Sequence, residues 1–215
     1  MTTSPLRVDV FSDIVCPWCF IGRKRLRDAL DTRDDARDAV VVHHSYLLDP
    51  SVPKEGLDLR ATLARKYGGD PERMFADVEA AARESGITLD FKKVERMPST
   101  VDAHTLLRHA DKKGTQVPFV DALFDAYFLN GQDIGDANLL LALAVKHGFS
   151  HDEAEALLQD DAERAQTKED ALQASQSGIS GVPFFIFNEE LAFSGAQPQA
   201  IFEKVLGQVL DKASE

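Results

Sequence analysis

Cys16 and Cys19, separated only by Pro17 and Trp18, follow directly on the apolar run from Val8 to Val15, and the chain contains no third thiol. That placement constrains the fold more than any other feature. A strand-like segment, Arg7 to Phe11, delivers the pair to a helix-compatible stretch that runs from Pro17 to about Leu30. Proline suits the first helical position, because its missing N–H would have no intrahelical partner there. Cys16 is then the N-cap, with its sulfur facing the unsatisfied N–H groups and the positive end of the helix dipole. In Cys-X-X-Cys motifs this setting lowers a thiol pKa from about 8.5 into a range of roughly 3.5 to 7 and favours the thiolate, the nucleophile of disulfide exchange. The pair therefore reads as a dithiol/disulfide redox centre.

Three other uses of two cysteines compete with that reading. A zinc site normally takes four ligands, so two of the six histidines would have to join, and only His43-His44 offers a pair. Adjacent strand residues point to opposite faces, which makes one tetrahedral site from these two hard to close. No metal is expected. A purely structural disulfide across two residues closes a very short loop and removes little unfolded-state entropy. Cysteines are also common as small buried hydrophobes, but burial alone gives no reason for Cys-Pro-X-Cys between a strand and a helix.

The 215 residues, 44% of them hydrophobic, suffice for a sizeable core. A formal net charge of −12 argues against nucleic acid or an anionic membrane surface as partner. The densest basic run, Arg23-Lys24-Arg25 with Arg27, reads as a solvated helix face. Residues Met1 to Leu6 show neither a basic n-region nor an apolar h-region, so no secretory signal and a cytoplasmic location are expected. The apolar runs are too short to span a bilayer.

Along the chain the pattern begins strand, helix, strand, the second strand being the β-branched run from Ala39 to Leu48, suited to a buried parallel strand. From about Asp58 to Gly178 it changes to helices with caps. Asp70-Pro71 opens one that ends at Gly86, and Ser99 with Asp102 forms a capping-box pattern for one that ends at Gly114. A third carries Phe119, Leu123, Tyr127 and Phe128, read as core, and ends at Asn130-Gly131; Asp136 starts a fourth, and Ser150 opens the last one or two. A β-hairpin follows, Gly181 to Phe187 and Leu191 to Phe193 about the turn Asn188-Glu189-Glu190. An amphipathic helix with Ile201, Phe202, Val205, Leu206, Val209 and Leu210 on one face closes the chain.

This order resembles the DsbA-like branch of the thioredoxin fold, an α/β fold with an all-helical insertion. Within that branch Phe11-Ser12-Asp13-Ile14-Val15-Cys16-Pro17-Trp18-Cys19-Phe20-Ile21-Gly22 is similar to the FrnE-type proteins, as are Asp102-Ala103-His104, Ser180-Gly181-Val182-Pro183-Phe184-Phe185 and Ser194-Gly195-Ala196-Gln197. The resemblance implies a discontinuous thioredoxin-like domain, 1–57 and 179–215, interrupted by a helical domain, 58–178. It implies that Cys16 attacks, that Cys19 resolves the mixed disulfide, and that Val182 and Pro183 form a cis-proline loop against the sulfurs. The bland reading of Pro183 is a proline leading a strand.

DsbA itself has histidine where this chain has Trp18, so a less oxidising couple is expected here. The indole of Trp18, with Pro17, suits polypeptide or aromatic substrates, or merely covers the disulfide. His104 and Gln197 are further substrate-binding candidates, His104 alternatively being structural. Asp13 is either the acid that moves protons for Cys19 or a solvated or helix-entry carboxylate. The expected activity is thiol–disulfide exchange with polypeptide or small-molecule thiols and disulfides, with no cofactor beyond the cysteine pair and with glutathione as a possible co-substrate. The alternatives are a glutathione-dependent isomerase of the 2-hydroxychromene-2-carboxylate type, whose relatives carry serine at the position of Cys16, and a redox-switched chaperone-like binding module.

Overall fold

Strand β1, Arg7–Ser12, lies in the middle of a four-stranded sheet because nearly every residue it offers can be buried. It pairs in parallel with β2, Val40–Ser45, and antiparallel with β5, Phe184–Phe187, which pairs in turn with β6, Leu191–Ser194. The order is β2-β1-β5-β6. The structure, a computed structural model, describes residues 5–213. Between β1 and β2 runs helix α1, Pro17–Asp31. It gives the β1-α1-β2 unit the sequence predicts, although β2 stops at Ser45, short of the expected Leu48.

Between β2 and β5 the chain is mostly helical: α2 Leu59–Tyr67, α3 Pro71–Glu84, α4 Val101–Lys112, α5 Gln116–Phe124, α6 Ala137–Lys146, α7 His151–Gln159 and α8 Asp161–Gln176. Helix α9, Gln199–Ala213, follows β6 and packs on α1. Local chemistry explains several starts. Asp70, Asp136 and Ser150 each accept a hydrogen bond from a first-turn N–H, and Ser150 with Glu153 completes a capping box.

Two apolar cores result. Val8, Val10, Phe185 and Phe187 of the sheet meet Leu26 of α1 and Phe202 and Leu206 of α9. Ile14, Phe20 and Ile21, on the other side of α1, join the insertion through Phe119, Leu123, Phe124 and Phe128. The Phe/Tyr stripe is thus core, as expected.

Four local expectations are corrected. The N-cap of α4 is Thr100 and has no side-chain cap hydrogen bond, so Asp102 sits one position too early to close a capping box with Ser99. Ile201 lies off the buried stripe of α9 and is exposed. The helix carrying Phe119 does not continue regularly: it passes into a π turn, Asp125–Leu129, that turns both Tyr127 and Phe128 inward. The basic run of α1 is not a solvated face either. Arg23 is buried and paired with Asp121, while Arg25 donates to Ser85 Oγ and to the carbonyls of Ala196 and Gln197. A small two-stranded pairing, β3 Leu57–Asp58 with β4 Arg96–Met97, was not foreseen; two residues per strand leave no alternation to detect.

Candidate active site

At the C-terminal end of β1 the chain turns sharply, Cys16 N–H donating to Asp13 O at 3.0 Å, and α1 begins. Cys16 is the N-cap in extended conformation, its carbonyl accepting from Cys19 and Phe20 N–H at 3.0 and 3.3 Å, with Pro17 at the first helical position. Both cysteines are free thiols. Cys16 Sγ points toward Val182 O, 3.8 Å away, and Cys19 lies one turn deeper, within hydrogen-bonding reach of Cys16. Burial above all, then the neighbouring Cys16 sulfur and the Asp13 charge, push the Cys19 thiol well above its ordinary pKa. Cys19 therefore rests as a thiol.

The Val182-Pro183 peptide bond is cis. Pro183 O accepts from Gly195 N–H at 2.7 Å, which ties the loop to the end of β6. Its ring packs on α1 where the helix has no side chain: a Cβ on Gly22 would stand 3.0 Å from Pro183 Cγ and 3.1 Å from Phe185 Cζ. Glycine inside a helix costs roughly 0.5–1 kcal/mol relative to alanine. At Gly22 it allows the close approach that brings the proline loop over the cysteines. Arg25, one turn further along, anchors the segment after β6 through Ala196 O and Gln197 O.

Beside the cysteines opens an apolar groove of about 350 Å³. Cys16, Pro17 and Trp18 line it together with Leu63, Tyr67 and Met74 of α2 and α3. Tyr127 and Phe128 of the π turn also line it, and Lys66 is the one charged residue in the lining. Trp18 is 40% exposed, an unusual state for an indole and a large apolar surface at the mouth.

Asp13 is sealed beneath the cysteines. Its Oδ2 accepts from Leu48 N–H at 2.8 Å, and its Oδ1 faces His104 Nε2 at 3.5 Å, both atoms being otherwise unpartnered. Asp13 is therefore not a solvated helix-entry carboxylate. His104 is equally buried and does not line the groove, and so stands behind Asp13 with no open path to a substrate. Gln197 is occupied in its own loop, its amide donating to Ser194 O. Of the residues singled out from sequence, Cys16, Cys19, Pro17, Trp18, Val182, Pro183 and Asp13 converge, whereas His104 and Gln197 stand back. Gly22, Arg25 and Tyr127 were missed, although a glycine inside an otherwise regular helix was a usable signal. Among the described residues, no group of three or more His, Cys, Asp or Glu side chains is disposed to hold a metal.

A strand, a Cys-X-X-Cys helix, a parallel second strand and a cis-proline hairpin, with helices inserted midway, form the architecture of one family, and the profile of the DSBA-like thioredoxin domain matches residues 7–207. The chain belongs to that family. Among its relatives is the uncharacterized protein YwbO of Bacillus subtilis (strain 168), 26% identical over 208 residues, spanning 94% of this chain and 96% of the relative. The crystal structure of a probable DsbA oxidoreductase, SCO1869 from Streptomyces coelicolor, is 32% identical with a TM-score of 0.86, covering 96% of this chain and 91% of that one. A 2-hydroxychromene-2-carboxylate isomerase superimposes with a TM-score of 0.72 over 97% of this chain and 98% of its own, at 15% identity, and so shares the fold. None of the helices among the described residues is long and apolar enough to cross a membrane.

Proposed function

We propose that this DSBA-like domain is a cytoplasmic thiol–disulfide oxidoreductase acting on polypeptide or small-molecule disulfides that carry apolar groups. The observation that carries the reading is the juxtaposition of Cys16, at the helix start and beside an apolar groove, with Cys19 buried one turn behind it. In the reducing direction the Cys16 thiolate attacks a substrate disulfide, forming a mixed disulfide and releasing one substrate thiolate, which takes up a proton. Cys19 then loses its proton and attacks the Cys16 sulfur, releasing the second thiol. Two electrons pass to the substrate, and Cys16–Cys19 is left as the disulfide. The oxidising direction is the reverse, chosen by the reduction potential against the surrounding thiol pool. The helical segment 58–178 selects the substrate, and the thioredoxin-like parts before and after it perform the chemistry.

Asp13 takes the Cys19 proton in this scheme. It is the one carboxylate sealed beneath the pair, and its charge already acts on Cys19. The backbone of Val182, whose carbonyl faces Cys16 Sγ just before β5, offers an edge to an extended substrate. A glutathione-dependent isomerase is the weaker reading. Glutathione is anionic and polar, the groove lining is apolar with Lys66 as its only charge, and both thiols are retained.

The test uses a disulfide-bonded peptide with an aromatic residue beside its cysteine. Cys19→Ser should accumulate a mixed disulfide through Cys16, visible by mass spectrometry, and Cys16→Ser should form none. Faster alkylation of Cys19 than of Cys16 at neutral pH would overturn the assignment of roles.

A further inference from the structure

His104 has no part in the exchange scheme above, yet α4 holds it against the residue that takes the Cys19 proton. Ala103, Leu106 and Leu107 of α4 share one apolar core with Ile14, the neighbour of Asp13, which packs the helix onto the turn between β1 and α1. There His104 and Asp13 face each other, Nε2 to Oδ1 at 3.5 Å, and each side chain keeps only 2% of its surface. Neither atom has a hydrogen-bond partner, whereas Asp13 Oδ2 already accepts from Leu48 N–H. Two bare acceptors turned on each other and sealed from water would repel, and both would stay unsatisfied, a costly arrangement. One proton between them removes both penalties.

Where that proton sits decides what Asp13 can do. On Asp13 it would leave a neutral acid unable to take the proton of Cys19. On Nε2 it gives the carboxylate a donor, and a donor favours the charged form. We propose that His104 is a positioning residue for thiol exchange, its Nε2–H held toward Asp13 Oδ1 so that the carboxylate stays charged, fixed in orientation and ready to receive the Cys19 proton. This role rests on the redox reading of Cys16 and Cys19. It also gives α4 a share in the chemistry, beside the groove that α2 and α3 supply.

The other titratable groups around the pair leave the acid side of the reaction to it. In a mixed disulfide the Cys16 sulfur is bonded and carries no proton, and burial pushes the Cys19 thiol up. Tyr127 of the π turn donates to Arg96 O and is pushed up by burial and by the Asp13 charge. His43 of β2, whose charge would interact with that of His104, is held down to about 3, chiefly by burial. Asp102, on α4 itself, faces Arg164 at 4.0 Å.

The test follows, in single turnovers of the full chain, how fast a mixed disulfide on Cys16 resolves as pH is varied from acid to neutral. His104→Leu, which fills the space without a donor, should move the acid-side midpoint of that profile up by at least about one pH unit. His104→Gln, whose amide can present an N–H where Nε2 stood, should return it most of the way. Nitrogen NMR of the unaltered chain at neutral pH depends on no variant folding, and His104 Nε2 should carry a hydrogen. A profile unmoved by His104→Leu, no recovery in His104→Gln, or a bare Nε2 would each overturn the role. If Cys19→Ser traps a mixed disulfide and Asp13→Asn slows resolution while His104→Leu leaves the profile unmoved, His104 alone is misassigned. If no mixed disulfide forms through Cys16, the redox reading fails, and the role of His104 with it.

Discussion

At the scale of single residues, burial decides which protons move. Cys19 rests as a thiol, so resolution of a mixed disulfide must wait for its proton to leave. Asp13→Asn should therefore lengthen the lifetime of the mixed disulfide by about 10²-fold or more, the usual range for a lost general base, while leaving its formation rate unchanged; stopped-flow quenching at successive pH values separates the two. His43 provides a second test. Burial first, then the charge of Arg23, lowers its pKa from 6.5 to about 3. Above pH 6.5 the ring is neutral in both folded and unfolded chains and contributes nothing. Between about pH 6.5 and 3 the unfolded chain binds the proton and the folded one does not, so stability falls as pH falls, by up to about 1.4 kcal/mol per pH unit. His43→Leu should lose less stability between pH 7 and pH 4.5 than the parent chain, by about 2–3 kcal/mol in urea titrations. Equal pH slopes would show that His43 is not held neutral.

Elements carry effects that propensity alone misjudges, and two helical glycines show it with opposite signs. Alanine gains roughly 0.5–1 kcal/mol over glycine within a helix. At Gly207 in α9 the nearest atom to a new Cβ is Arg33 Nη1 at 3.5 Å, an ordinary contact, so Gly207→Ala should stabilise by about that amount. At Gly22 the new Cβ meets Pro183 and Phe185 at 3.0 and 3.1 Å, both held in packed elements. Overpacking of about 1–3 kcal/mol then exceeds the propensity gain. Gly22→Ala should destabilise the chain and slow thiol exchange by displacing the Pro183 loop. Denaturant midpoints of the two variants, moving in opposite directions, check the argument. The π turn after α5 belongs to this scale too, because it brings the consecutive residues Tyr127 and Phe128 to one groove.

For the whole molecule, the groove is a joint product: α1 brings Cys16 and Trp18, and the insertion brings α2, α3 and the π turn. Tyr67, in the groove lining, is 58% exposed, so it can be changed without disturbing the core. Tyr67→Glu should reduce exchange with an aromatic peptide disulfide by about five- to thirtyfold, as loss of an aromatic anchor does. Exchange with glutathione disulfide, which has no apolar body to place there, should change by less than about twofold. Parallel rate measurements with the two disulfides decide whether the insertion selects the substrate.

What the amino-acid order determined by itself was whatever rests on near neighbours. Pro17 after Cys16 sets the helix start, Asp70, Asp136 and Ser150 set caps through their own first turns, and β-branched runs set the strands. The Cys-Pro-Trp-Cys pair is itself such a local signal, and so the place of Cys16 at the helix start and of Cys19 one turn inside was readable in advance. The resemblance to a family supplied Pro183. Only the tertiary structure decided the rest, because those features depend on residues far apart in the chain. Val182 reaches Cys16 across 166 positions, Leu48 closes on Asp13 across 35, and Arg25 ties α1 to Gln197 across 172. Burial is the clearest case. A run such as Arg23-Lys24-Arg25 carries the same charge whether it faces water or Asp121, and packing against α5 put Arg23 inside. Periodicity reports which face of a helix is apolar; what lies opposite that face, and hence which polar groups are left without water, is settled only when the elements close on one another.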